Sequence, residues 1–389
     1  MPLFRALISA SVQGTDKIAG YLSDITGAFD RVCKEYLIAK LQAAGVGRTY
    51  LNFLDAYLAK RQAQVIVEGI ASDPFEISNT VFQGTVLGPP LWNLFFADVV
   101  DAAESKGGNA SIFADDLNVF KAFWKTEKNE DLIENMEMTR RATHKWGKMN
   151  RVTFDGEKEH IIILHPIHGE GDSFKLLGCL MDCKLQMLQA IDAILARMRP
   201  KVTTILRLRS HYGPHALIDQ FKTHVWGFLE CHNGAIFHAA PSYLAKFDRL
   251  QEKFLQEINM DETSGFLECN FAPPSLRRNI GILGLLQKRV LGKAHPIFQE
   301  LLPYHRDIFG SLRQNEHSKQ LYCHTLDVNG QYMLHRRSIF GMVSVYNRLP
   351  QSFVDCRIVS CFRKQLTMKA RAACEHGDPN WKSLFSVKL

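Results

Sequence analysis

Two adjacent aspartates, Asp115 and Asp116, stand in the middle of the apolar stretch Ser111-Ile112-Phe113-Ala114-Asp115-Asp116-Leu117-Asn118-Val119-Phe120. Such a stretch reads as strand, acidic turn, strand. Two like charges side by side repel and raise each other's pKa unless a cation stands between them. The hairpin tip therefore either stays in water, where Asp is a common turn residue, or meets a positive partner. A second apolar run, Ala19 to Leu22, ends at Asp24 and reads as another strand with a carboxylate at its tip. Asp24, Asp115 and Asp116 could together hold hard, oxygen-seeking cations such as Mg²⁺. Two such ions roughly 4 Å apart would activate an attacking hydroxyl and stabilise a leaving pyrophosphate.

The rest of the first half supplies a frame for such a tip. A helix is expected after Asp24, with Val32, Tyr36, Leu37, Ala39 and Leu41 recurring at helical spacing and Gly45 and Gly47 closing it. A second runs from about Thr49 to Ala59. Val65-Ile66-Val67 with Glu68-Gly69 reads as a strand and turn, with Phe75-Glu76-Ile77 as its hairpin partner. Gln83-Gly84 makes a tight turn. Pro89 and Pro90 then fall in the first turn of a helix, where a missing amide donor costs least. A polar helix from Asn129 to Met149, a buried strand Ile161 to Leu164 and a strand pair from Phe174 to Met181 follow. Helices and strands mix without regular alternation, which implies an α+β class. Beyond Asp182 the pattern turns mainly helical, starting with Leu185 to Arg209. Arg197, Arg199, Lys201, Arg207 and Arg209 form a basic cluster there, either a nucleic-acid contact or a solvated helix face.

Composition narrows the class. Hydrophobic residues make up 46% of the chain and charged ones 22%, which excludes a disordered chain. The net charge of +7 leans toward polyanionic partners. Nine scattered cysteines suit a reducing compartment, nucleus or cytoplasm. The nearest approach to a zinc set is Cys356, Cys361, Cys374 and His376, but its first gap is wider than such sites use. No apolar run is long enough to span a bilayer, so no membrane partner is expected. The opening Met1 to Ala10 faintly resembles a signal or transit peptide, yet Arg5 interrupts its short apolar part, and it reads as a domain edge.

Five blocks, in order, resemble the reverse transcriptases of non-LTR (LINE-type) retrotransposons. Asp24-Ile25-Thr26-Gly27-Ala28-Phe29-Asp30-Arg31-Val32 resembles the first catalytic block of that family. Val81-Phe82-Gln83-Gly84-Thr85-Val86-Leu87-Gly88-Pro89 resembles its Gln-Gly block, with Gly88 and Pro90 where Ser and Leu are common. Phe113-Ala114-Asp115-Asp116 is similar to its Ala-Asp-Asp block. Trp146, Asn150 and Lys158 follow the next pattern, and Phe174-Lys175-Leu176-Leu177-Gly178 the primer-contacting one. Later, Arg197 to Ala235 looks like the helical thumb, and Tyr346-Asn347-Arg348-Leu349-Pro350 through Leu366 like the tail segment.

The resemblance implies an RNA-directed DNA polymerase. Residues 1–182 would be a palm, a small antiparallel sheet with helices, residues 183–260 a helical thumb, and residues 261–389 a helical C-terminal region. Asp24, Asp115 and Asp116 would carry two Mg²⁺ ions, with Mn²⁺ as a substitute. Phe29 would exclude a 2′-hydroxyl at the nucleotide sugar, and Gln83 and Gly84 would line the nucleotide and template. Lys158 would donate a proton to pyrophosphate, unless it is only a solvent-facing lysine. Arg61 also falls on a family pattern, although a surface arginine explains it equally. The partners implied are an RNA template, a DNA primer and deoxynucleoside triphosphates, with Arg197, Arg199, Lys201, Arg207 and Arg209 on the phosphate backbone. The residues before Asp24 are too few for the fingers of the family. The chain is thus expected to be N-terminally truncated and a poor enzyme alone; the alternative is an inactive retroelement remnant with at most nucleic-acid binding.

Overall fold

Lys17–Ser23 forms strand β1, buried along its whole length. In the computed structural model, which describes residues 17–77, 80–165, 167–305, 317–323 and 336–387, the chain divides into two compact units between Asp172 and Ser173. The opening Met1 to Ala10 lies outside the described residues. Among the described residues, no helix is long and apolar enough to cross a membrane.

In the first unit, β1 leads through a 3₁₀ turn at Ala28–Arg31 into helices α1 (Lys34–Ala43) and α2 (Arg48–Tyr57). Four short strands follow: β2 (Arg61–Ala63), β3 (Ile66–Val67), β4 (Ile70–Ala71) and β5 (Phe75–Ile77). Here the expected pairing is corrected. Ile66–Val67 pairs with Ile70–Ala71, and Phe75–Ile77 pairs instead with Arg61–Ala63. Glu68 (φ 52°) and Gly69 (φ 83°) are both left-handed, the geometry of a two-residue hairpin turn that closes β3 directly on β4.

Helices α3 (Gly88–Phe96) and α4 (Val99–Glu104), strands β6 (Asn109–Phe113) and β7 (Asp116–Phe123), helix α5 (Asn129–Asn150) and strand β8 (His160–Leu164) complete the unit. The central sheet runs β6-β7-β1-β8, antiparallel throughout. Helix α5 packs on β1 and β8. Gly20 is required in β1, because a β-carbon there would come within 2.8 Å of the Phe120 ring. Tyr21, Leu37, Trp92, Phe95, Phe96, Leu117, Val119 and Ile163 belong to the core.

The second unit opens with the hairpin β9 (Phe174–Leu176) and β10 (Cys179–Met181). The expected division near residue 182 thus differs from the observed one, because β10 packs on the first long helix of this unit, α6 (Leu188–Arg207). That helix starts three residues later than its apolar pattern. Asp182 accepts the amides of Lys184, Gln186 and Met187 at 3.1, 3.0 and 2.6 Å, and Leu185 and Met187 are left-handed. Then come α7 (Pro214–Phe221), α8 (Gly227–Ile236), α9 (Pro241–Glu257), α10 (Glu262–Cys269), α11 (Pro274–Val290), α12 (Ile297–Leu301), α13 (Ile339–Tyr346), α14 (Gln351–Val354) and α15 (Val359–Glu375).

Buried polar groups pin these helices. Gln287 on α11 donates to the carbonyls of Val354 (3.0 Å) and Cys356 (2.8 Å) and accepts from the Tyr346 hydroxyl (2.6 Å). Gln287→Leu orphans all three in a dry interior, at about 1–3 kcal/mol for each unsatisfied group before relaxation. The expected net loss is about 2–4 kcal/mol, read as a lower urea midpoint; an unchanged midpoint would rule out this pin.

Candidate active site

The tip of the acidic hairpin is as short as a hairpin allows. Phe113 pairs with Asp116, so the loop is Ala114 and Asp115 alone. Ala114 is left-handed (φ 54°), and its carbonyl accepts the Trp92 indole N–H at 2.9 Å. Trp92 lies on α3, whose start is built by small residues. Thr85 Oγ1 donates to the Phe82 carbonyl and accepts the Gly88 amide. A β-carbon at Gly88 would come within 2.8 Å of that same carbonyl, so glycine there permits the tight entry. Gly84 is left-handed (φ 78°), and Pro89 and Pro90 sit in the first turn, both as expected.

Asp24 reaches the same place from β1. The last β1–β7 pair is Ser23 with Leu117, so Asp24 and Asp116 are the next positions on neighbouring strands. Beyond the strand, Thr26 donates to the Thr153 carbonyl (3.1 Å) and Asp155 to the Asp24 carbonyl (2.9 Å). The segment that follows α5 is thereby fastened beside Asp24, and Lys158 comes with it. Its ammonium donates to Asp24 Oδ2 at 2.5 Å and lies 3.4 Å from Asp155.

Electrostatics follow from this convergence. Burial first, and then the charge and hydrogen bond of Asp24, raise the Asp115 pKa; Lys158 opposes. Burial, Asp24 and Asp115 together raise that of Asp116. Lys158 is raised by its hydrogen bond to Asp24 and by the charges of Asp24 and Asp155, so it holds its proton. The structure thus brings Asp24, Asp115, Asp116 and Lys158 together. Among the described residues, no group of three or more His, Cys, Asp or Glu is disposed to hold a metal ion as it stands. The donor chemistry nevertheless fits one: hard carboxylate oxygens, crowded and half-buried, whose repulsion a cation relieves. In this arrangement Lys158 supplies that positive charge.

Phe29 stacks on Trp92, ring centroids 5.9 Å apart, and so sits one side chain from the hairpin tip. Gln83 and Gly84 are exposed in the turn before α3; Val81, two residues earlier, donates to the Phe29 carbonyl at 2.9 Å. Arg61 lies over the rings of Phe82 (4.4 Å) and Tyr57 (5.0 Å), a packing role. Glu159 carried no signal in the sequence, yet it anchors the neighbour of Lys158. Its buried carboxylate accepts from the Tyr21 hydroxyl (2.6 Å) and from Arg140 Nε (3.0 Å), and it meets His144 Nε2 at 2.6 Å.

The basic cluster on α6 and just beyond its end divides between two faces. Arg197 and Lys201 stand over the Phe228 ring. Arg199, Arg207 and Arg209 line a groove of about 820 Å³ against α9, which contributes Lys246, Arg249 and Lys253. Those three recur at helical spacing, a stripe legible in the sequence and overlooked there.

Residues 6–181 match the family described as reverse transcriptase (RNA-dependent DNA polymerase). The chain is 26% identical over 254 residues to the RNA-directed DNA polymerase from mobile element jockey of Drosophila funebris, covering 61% of this chain and 28% of that protein. For the jockey protein of Drosophila melanogaster the identity is 26% over 267 residues, covering 64% and 29%. A probable RNA-directed DNA polymerase from transposon X-element of Drosophila melanogaster is 25% identical over 194 residues, covering 46% and 21%. The chain thus spans less than a third of the length of these relatives. Among solved structures, the telomerase of Candida tropicalis gives a TM-score of 0.37 at 12% identity, covering 77% of this chain and 50% of that one.

Proposed function

We propose that this chain, whose residues 6–181 match the reverse transcriptase family and which is similar to the RNA-directed DNA polymerases of mobile elements, is a reverse transcriptase of the non-LTR type and performs RNA-directed DNA synthesis by nucleotidyl transfer to a primer 3′-hydroxyl. The observation that carries the reading is the meeting of Asp24, Asp115 and Asp116 beside Lys158 at one edge of an antiparallel sheet. In this reading the first unit is the palm, and the second carries the thumb and C-terminal region.

Asp24 and Asp115 would hold two Mg²⁺ ions, with Asp116 beside them. Bound there, such ions supply Lewis-acid stabilisation of charge at the reacting phosphate and lower the pKa of the attacking hydroxyl. Lys158, which keeps its proton beside Asp24, would serve the leaving pyrophosphate as a general acid. Phe29, held flat on Trp92, blocks a 2′-hydroxyl at the nucleotide sugar by contact. Gln83 and Gly84 offer a side-chain amide and open backbone to nucleotide and template. The groove of Arg199, Arg207 and Arg209, with Lys246, Arg249 and Lys253, holds template–primer phosphates.

The test is deoxynucleotide incorporation on an RNA template annealed to a DNA primer, by this chain and by a longer protein containing it. Incorporation should require Mg²⁺ or Mn²⁺ and stop on chelation. Millimolar Mg²⁺ should also raise the melting temperature of the chain by mass action. Incorporation that persists in chelator, or a chain whose melting ignores divalent ions, would defeat the reading.

A further inference from the structure

The second unit contains a cleft, of about 450 Å³, that the polymerase reading does not use. It lies among α8, α11 and α15 and is lined by Asn233, Arg277, Arg278 and Arg363, with Ile280, Ile282 and Leu285 as apolar wall. Three arginines face one carboxylate, Glu230. Arg277 is committed to that glutamate and lies over the Trp226 ring at 3.5 Å.

Arg278 is the unusual member. It is only 5% exposed, and its buried Nη1 has no hydrogen-bond partner. A guanidinium cannot shed its proton to escape burial, and a buried, unpaired donor is costly. Asp248 is the acid whose charge acts on it, while burial works the other way; the Asp248 carboxylate already accepts the Ser275 amide at 2.9 Å. Asn233 leaves a second buried side-chain atom, Oδ1, without a partner on the same cleft. Since amide O and N exchange by a flip, Asn233 can meet either a donor or an acceptor.

The cleft is also kept open. A β-carbon at Gly281 or Gly234 would meet nothing within 4 Å, although both glycines lie in helices, where glycine is unfavourable. At Gly284 a β-carbon would collide with the Arg363 guanidinium, so the missing side chain is what seats Arg363 against α11. Its Nη2 reaches the Gly281 carbonyl at only 3.4 Å, which leaves most of its donors unspent.

We infer that this cleft binds a phosphate group, with Arg278 as its buried anchor and Arg363 and Asn233 completing the donors. Planar guanidinium forks match the oxygens of a phosphate. The phosphate comes either free or on a small organic body resting on Ile280, Ile282 and Leu285. The site is independent of the carboxylates of the first unit.

The test uses the whole chain and thermal melting in inorganic phosphate, against chloride at equal ionic strength and pH. Phosphate at about ten times its dissociation constant should raise the melting temperature by about 2–3 °C. Arg278→Met should melt higher than wild type without phosphate, because a buried donor without a partner is gone, and should show no phosphate response. Gly281→Leu, which leaves every charge in place and fills the cleft, should also lose the response. A nucleoside monophosphate that shifts melting at lower concentration than inorganic phosphate identifies the organic body as part of the ligand; equal concentrations identify free phosphate. An equal rise in chloride, or a full response in either variant, overturns the inference.

Discussion

Asp115→Asn is expected to reduce divalent-dependent incorporation by about a thousandfold, the equivalent of several kcal/mol at tenfold per 1.36 kcal/mol. The substitution keeps the shape of the two-residue hairpin and removes only the charge. The same variant should fold better without metal, and the sign follows from the pKa direction. The folded-state pKa of Asp115 lies above its ordinary value of 3.8. The native state therefore holds this proton more tightly than the unfolded chain, and stability falls as pH rises from that value through the folded one. At neutral pH the ionised side chain is a cost. Asp115→Asn should melt higher than wild type at pH 7 in chelator, and the difference should close below about pH 4. Undiminished incorporation would remove Asp115 from the chemistry, and a lower melting temperature would contradict the electrostatics.

Trp92→Ala is expected to cost about 3–5 kcal/mol of the first unit's stability. Trp92 is 1% exposed and lies against Phe29, Phe95 and Phe96 with centroids 5.9, 6.0 and 5.1 Å apart. Its loss opens a cavity in the aromatic core and orphans the Ala114 carbonyl. Since whole domains are stable by only about 5–15 kcal/mol, much of the unit would be unfolded under mild denaturant. Trp92→Phe separates packing from positioning, because it keeps most of the volume and loses the N–H. It should melt lower than wild type but well above Trp92→Ala, yet incorporate more slowly than its stability explains. A Trp92→Ala chain with an unchanged urea midpoint would show that the hairpin does not depend on this contact.

What could be read from the sequence was local. β-forming residues on both sides of Asp115-Asp116 dictated a hairpin, and the apolar run before Asp24 dictated a strand ending there. Register was harder. In the ribbon from Arg61 to Ile77 the turn at Glu68-Gly69 is legible, but the strand that it closes on, Ile70–Ala71, is only two residues long and carries no pattern of its own, so Phe75–Ile77 is left to pair with Arg61–Ala63. The start of α6 was set by the side chain of Asp182, which competes for amides that the apolar spacing would give to the helix. Glu159 was invisible because Tyr21, Arg140 and His144 converge on it only through the fold. Arg278 was equally hidden, since a missing hydrogen-bond partner has no signature in one dimension.

The two-residue tip formed by Ala114 and Asp115 also bears on which genetic lesions this unit tolerates. Point substitutions near the tip alter one side chain and should give graded losses. A single codon inserted or deleted between Phe113 and Asp116 has no slack to absorb it. Either the tip bulges and carries Asp115 away from Asp24, or β7 slips by one residue against β6. A one-residue slip turns every side chain to the opposite face of the sheet, so Leu117 and Val119 would leave the core together with the displaced carboxylates. In-frame length changes here should therefore behave as null alleles even where the reading frame survives.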